Sequence, residues 1–147
     1  MSPPSEQDED RQFEILEHPA DVGFRAYGRT LDELFSNSAL AMLSLACDLA
    51  GIEEQERRDI EASGADTEAL LFAWLAEILA VADAERLVFR RVEVVALSAT
   101  RVRGIAHGQA FDRARHRAGT AIKAVTYHQL RVEQTPAGWQ AQVFLDV

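Results

Sequence analysis

Apolar positions along the chain change period twice. Phe13, Ile15 and Glu17 alternate against Glu14 and Leu16, and Phe24 and Ala26 alternate against Arg25 and Tyr27. This predicts strands over Phe13–Glu17 and Gly23–Gly28 flanking a Pro19-Ala20-Asp21 turn, with Asp21 at the bend. Thr30-Leu31-Asp32-Glu33 then has a capping-box pattern. Leu31, Leu34, Phe35, Ala39, Met42, Leu45 and Ala46 follow at helical spacing, predicting an amphipathic helix to about Cys47. A polar stretch from Gly51 to Arg58 leads into a short strand near Asp59–Ala62. Gly64 and Asp66 precede a second helix whose residues Leu70, Leu71, Trp74, Leu75, Ile78, Leu79 and Ala82 form a broad apolar stripe, read as core.

From Leu87 the period returns to two, predicting strands over Leu87–Leu97, Thr100–His107, Ala121–Glu133 and Trp139–Val147. Pro136-Ala137-Gly138 supplies the final turn, so the last two strands pair as a hairpin, and the residues near Lys123 lie beside those near Asp146. The expected architecture is α+β, two main helices packed on a mostly antiparallel or mixed β-sheet. It is a single domain over residues 12–147 behind a disordered acidic tail over residues 1–11.

Composition narrows the functional classes. The chain has 147 residues, a one-domain length with room for a sizeable core. No apolar run approaches the roughly 20 residues that cross a bilayer, and Met1–Arg11 lacks the order of a signal peptide, so a soluble cytoplasmic protein without membrane partners is expected. Cys47 is the only cysteine and falls in an apolar helical pattern, which reads as a small buried hydrophobe. A net charge of −9 argues against holding nucleic acid by the overall field. Locally the sign reverses: Arg86 to Arg117 carries eight arginines against Glu93 and Asp112. Arg101 and Arg103 alternate with apolar neighbours and read most simply as the wet face of a strand.

Candidate chemistry concentrates in two places. Lys123 is the only lysine among fifteen basic residues, a compact ammonium in a chain that otherwise uses arginine. Asp146 directly precedes the last residue, Val147, so two anionic oxygen groups crowd together there unless a cation or basic group compensates. Hard oxygen donors suit calcium or magnesium, and calcium tolerates an irregular set completed by carbonyls and water. The histidines His18, His107, His116 and His128 lack paired zinc spacing. Taken alone, Asp21 reads as a turn residue, and His18 and His128 as strand-end residues. No nucleophile elbow, phosphate-cradling glycine loop or paired acid and base is present in the sequence, which favours an accessory role over enzymatic catalysis.

These residues carry a family resemblance. His18-Pro19-Ala20-Asp21-Val22-Gly23, Tyr27 to Phe35, Leu70 to Leu75, Arg115-His116, Ile122-Lys123-Ala124-Val125-Thr126-Tyr127-His128 and Asp146-Val147 together resemble the archease family over about Phe13 to Val147. The resemblance implies an activator of the RtcB-type RNA-splicing ligase, promoting its guanylylation and multiple turnover in tRNA splicing and RNA repair, with RNA met through the ligase. It implies a divalent cation, most often calcium, held by Asp21, Asp146 and Val147. It also implies a functional end that includes Lys123, with His18, His116, Thr126 and His128 in matching motifs. Gln109 departs from the Gly-Glu common in the family, so no role is carried onto it. The alternative expectation is a chaperone-like or specificity-modulating partner of an RNA-modifying enzyme. A direct RNA-binding module built on the arginine-rich stretch is the weakest of the three.

Overall fold

The computed structural model describes residues 11–17 and 21–147. The acidic tail expected over residues 1–11 therefore falls, except for Arg11, outside the described residues, as does His18. Among the described residues, eight strands and two α-helices follow in the order β1 (Phe13–Glu17), β2 (Asp21–Gly28), α1 (Leu31–Ala46), β3 (Glu56–Ser63), α2 (Thr67–Glu85), β4 (Leu87–Leu97), β5 (Arg101–Ala110), β6 (Ala124–Val125), β7 (Arg131–Thr135) and β8 (Gly138–Asp146). A single 3₁₀ turn over Leu49–Gly51 links α1 to β3.

Each helix starts where its sequence satisfies the first free N–H groups. Thr30 is the N-cap of α1 and its Oγ1 accepts from the Glu33 N–H at 3.2 Å. Asp66 caps α2 by accepting from the Ala69 N–H at 2.8 Å. The helix α1 contains no β-branched residue and ends where Cys47 turns extended (φ −160°, ψ 151°). Arg86 ends α2 in the left-handed region at φ 54°.

Two sheets, rather than the one expected, share the core, and every pairing is antiparallel. The five-stranded sheet runs β1-β2-β8-β6, with β7 also pairing β8, and the three-stranded sheet runs β3-β5-β4. The period of apolar residues fixes strands and faces but not which strands pair, so a second sheet leaves no local trace. Both helices contact both sheets. Between them Trp74 is fully buried, its ring centroid 6.4 Å from that of Phe35 and its Nε1–H donating to the Phe35 carbonyl at 3.2 Å. Cys47 is 3% exposed, a packing residue as its context implies.

One predicted strand is overturned. The run Ala121–Glu133 is two separate strands, β6 and β7, placed end to end along the same edge of β8. Its buried residues Ile122, Val125 and Leu130 are spaced three and five apart, which period-two alternation cannot accommodate. Asp21 differs as well: it is the first residue of β2 and already in the ladder, not a free bend. The final turn holds, with Thr135 paired to Gly138 across Pro136-Ala137 and Gly138 at φ 138°, a conformation open to glycine.

Candidate functional site

The site lies at the end of the five-stranded sheet where β2 begins and β8 finishes. Asp21 and Asp146 are direct cross-strand partners, so two carboxylates project from facing positions on one face of the ladder. Facing Cβ atoms in such a pair sit roughly 5 Å apart, and like charges there destabilise a sheet. Asp146 also faces Ala124 on its other side. The Lys123 N–H donates to the Asp146 carbonyl at 2.8 Å, which fixes the lysine backbone beside the acid pair. Among the described residues, Lys123 forms no ion pair with a carboxylate within 4.0 Å. Val147 is half-buried and packs on the core.

The glycine of the first motif has a steric cause. A Cβ on Gly23 would stand 2.6 Å from the Phe144 ring and 2.8 Å from the Val143 carbonyl. The bare Cα lets Phe144 lie across β2 between the acid pair and the rest of the sheet. His128 meets Phe144 edge-on, with centroids 5.8 Å apart and planes at 60°. Thr126 clamps the same point: its N–H and its Oγ1 both donate to the Phe144 carbonyl, at 3.1 and 3.0 Å. Lys123, Thr126 and His128 are thus gathered along the edge of β8 that ends in Asp146.

His116 stands in a different setting. It is 5% exposed, and its hydrogen bonds and ring contact run to Asp112, Gln109 and Phe111. Its Nδ1 accepts the Asp112 N–H at 2.8 Å, so the proton belongs on Nε2, which donates to the Gln109 Oε1 at 3.0 Å. That same Oε1 accepts the Glu53 N–H at 2.6 Å. Gln109, 5% exposed, is a residue whose part was not readable beforehand: it ties the His116 loop to the segment leading into β3. In the alternation of β5 Gln109 shares the side of Arg101, Arg103 and His107, so its burial left no local signal.

Among the described residues, no three His, Cys, Asp or Glu side chains converge into a metal-binding group. Two carboxylates on facing strands form a partial hard-oxygen set that main-chain or terminal oxygens and water must complete. Such a set fits calcium better than zinc, which takes nitrogen and sulfur in a closed tetrahedron.

Residues 13–147 match the archease protein family. A protein archease of Pyrococcus furiosus is 40% identical over 141 residues, spanning 93% of this chain and 99% of the relative. One from Methanosarcina mazei is 36% identical, spanning 93% and 97%. The solution structure of Methanobacterium thermoautotrophicum protein 1598 superposes with a TM-score of 0.78 at 33% identity, over 92% of this chain and 99% of that one. A crystal structure from Thermotoga maritima, described as an archease and possible chaperone, shares the fold with a TM-score of 0.63 at 21% identity, over 90% and 94%. The family match over residues 13–147, the 36–40% identity to these archeases along nearly their whole length and the superposition at a TM-score of 0.78 agree, and the chain belongs to the archease family.

Proposed function

We propose that the protein is a cytoplasmic activator of an RtcB-type RNA ligase, raising guanylylation and turnover of the ligase in tRNA splicing or RNA repair, and meeting RNA only through the ligase. The observation that carries this reading is the facing of Asp21 and Asp146 at a strand end where the backbone of Lys123, the sole lysine, is tied to Asp146. A cross-strand pair of like charges is a stability cost without a role in packing, and a bound cation turns it into an asset.

In this reading Asp21 and Asp146, with Val147 as the third ligand that the family resemblance implies, hold a divalent cation, calcium by donor chemistry. Bound there, the cation supplies fixed positive charge for phosphate oxygens. Lys123 adds an ammonium beside it that forms no ion pair among the described residues. Phe144, Thr126 and His128 set the edge of the ladder so that these groups are preorganised rather than recruited, which is what makes charge stabilisation effective at a partner's nucleotide-transfer step.

The test is guanylylation of the cognate ligase at limiting enzyme, with no addition, with wild type, and with Asp21→Ala whose folding is checked by circular dichroism. Stimulation that disappears in the folded variant supports the reading. An active ligase that wild type leaves unstimulated removes it and leaves a chaperone-like role, seen as protection of the ligase without faster guanylylation.

A further inference from the structure

The break between β6 and β7 is built, not frayed. Val125 faces Leu145 and Arg131 faces Gln142, so residues 126–130 stand opposite only Val143 and Phe144. The surplus chain is pushed out of the sheet edge as an enlarged bulge, a device that re-aims side chains. Several bonds hold its shape. The His128 N–H donates to the Thr126 Oγ1 at 3.3 Å, and the Leu130 N–H to the Tyr127 carbonyl at 3.2 Å. Gln142, only 6% exposed, donates its Nε2–H to the Gln129 carbonyl at 3.1 Å. Gln129 itself sits at φ 52°, a left-handed conformation that a side chain disfavours. A buried amide and a disfavoured backbone are therefore both committed to keeping this bulge.

What the bulge presents is Tyr127. Its side chain is 61% exposed, the most open of the large hydrophobic residues of the described chain. Its ring is not loose: it stacks on Phe72 of α2, with centroids 3.9 Å apart and planes 11° from parallel. One face is thus covered and the other looks outward, four residues along from Lys123. A tyrosine already immobilised on a second ring loses little freedom on binding, the property that makes tyrosine an interface anchor.

We infer that Tyr127 is the docking anchor for a basic partner surface, its open face receiving an arginine guanidinium. Charge complementarity selects that occupant. The chain carries −9, which repels a nucleic acid strand and attracts a basic protein surface, and the negative face of an aromatic ring favours a stacked guanidinium above other planar groups. The inference rests on the ligase-activator reading and extends it: Asp21, Asp146 and Lys123 act on the partner's chemistry, while Tyr127 provides affinity.

The experiment measures two quantities on wild type, Tyr127→Leu and Tyr127→Phe: binding to immobilised ligase in the absence of nucleotide, and stimulation of guanylylation across a range of activator concentration. Tyr127→Leu is expected to weaken binding roughly 10- to 30-fold and to raise the half-maximal concentration to match, with the plateau of stimulation retained; Tyr127→Phe, which keeps the ring, stays within about threefold of wild type. Unchanged binding by Tyr127→Leu overturns the inference, as does Tyr127-dependent binding of a short single-stranded RNA without ligase, which reassigns the ring to base stacking. Wild type that binds but does not stimulate removes the activator reading alone, and the anchor is then judged on binding. Wild type that does not bind removes both.

Discussion

The three-stranded sheet and the end of the five-stranded sheet treat charge in opposite ways. On and beside the former, several acids are answered. Arg91 forms two hydrogen bonds to Glu54 at 2.9 and 3.0 Å, His107 meets Glu93 at 2.8 Å, and Arg58 at the start of β3 bonds both Glu85 and Glu56. These contacts draw the Glu54 and Glu93 carboxyls below their usual range, chiefly through the hydrogen bonds from Arg91 and from His107 respectively. At the other sheet's end Asp21 faces Asp146, and among the described residues Lys123 forms an ion pair with neither. One region pairs much of its charge within the fold, and the other leaves two like charges facing each other across the ladder.

The sharpest way to break this comparison is to remove one of the facing acids. Calcium at about 100 times its Kd should stabilise wild type by about 2.7 kcal/mol, or roughly 5–10 °C in Tm for a chain of this length. Asp21→Asn is expected to abolish that shift. In chelator the same variant should melt at or slightly above wild type, since the like-charge repulsion is gone. Differential scanning fluorimetry with and without calcium decides it. A chelated Asp21→Asn that melts well below wild type would mean the aspartate is structural and the contrast false.

His116 sharpens the boundary between the two regions. Its imidazole is buried and satisfied on both nitrogens by Asp112 and Gln109, as a scaffold group should be. His116→Ala leaves the Gln109 amide short of a partner and opens a cavity, and should cost about 2–3 kcal/mol in urea unfolding. The calcium shift should survive in the fraction that is folded. If ligase stimulation falls further than the loss of folded protein explains, His116 belongs with the site despite its burial.

How much of this was legible beforehand depended on the range of the interaction. Both helix starts were visible because Thr30 and Asp66 act on N–H groups three residues away, and Leu87–Leu97 was read with its observed bounds because its alternation is local. The hairpin turn at Pro136-Ala137 was likewise local, and through it the neighbourhood of Lys123 and Asp146 followed. What required the fold was the direct facing of Asp21 and Asp146, since β2 and β8 are more than a hundred residues apart in sequence. The split of Ala121–Glu133 was half-visible in the uneven spacing of Ile122, Val125 and Leu130, but the stacking of Tyr127 on Phe72 was not. The bond between His116 and Gln109 was hidden for the same reason, because an amide on a strand gives no sign of which loop folds over it.

The bulge beside the site predicts a smaller effect. Gln129 holds a positive φ that glycine adopts without side-chain strain, so Gln129→Gly should stabilise the protein by about 0.5–1 kcal/mol, less whatever flexibility glycine adds to the unfolded chain. Arg86, the other residue of this kind in the described chain, caps α2 far from any candidate function and should respond alike. A gain at Arg86→Gly with a loss at Gln129→Gly would show that the glutamine side chain itself supports the bulge.

The paired charges of the three-stranded sheet should give the smallest signal, visible mainly as a pH dependence. The Glu54 carboxyl is depressed in the folded state, so its contribution is fully present above the ordinary carboxylate value of 4.5 and is lost as pH falls through the lower folded value. Both Glu54 and Arg91 are exposed, so solvent screens the pair and it contributes at most a few tenths of a kcal/mol to about 1 kcal/mol. Glu54→Gln should leave Tm almost unchanged at pH 7 in 0.5 M salt, where exposed pairs are screened, and should flatten the decline of Tm below pH 4.5 relative to wild type. A pH titration of Tm for Glu54→Gln beside wild type decides it: an acid limb that the variant leaves unchanged means that the Glu54–Arg91 pair contributes nothing to stability and that the charges of this sheet are no more committed to the fold than those at the other sheet's end.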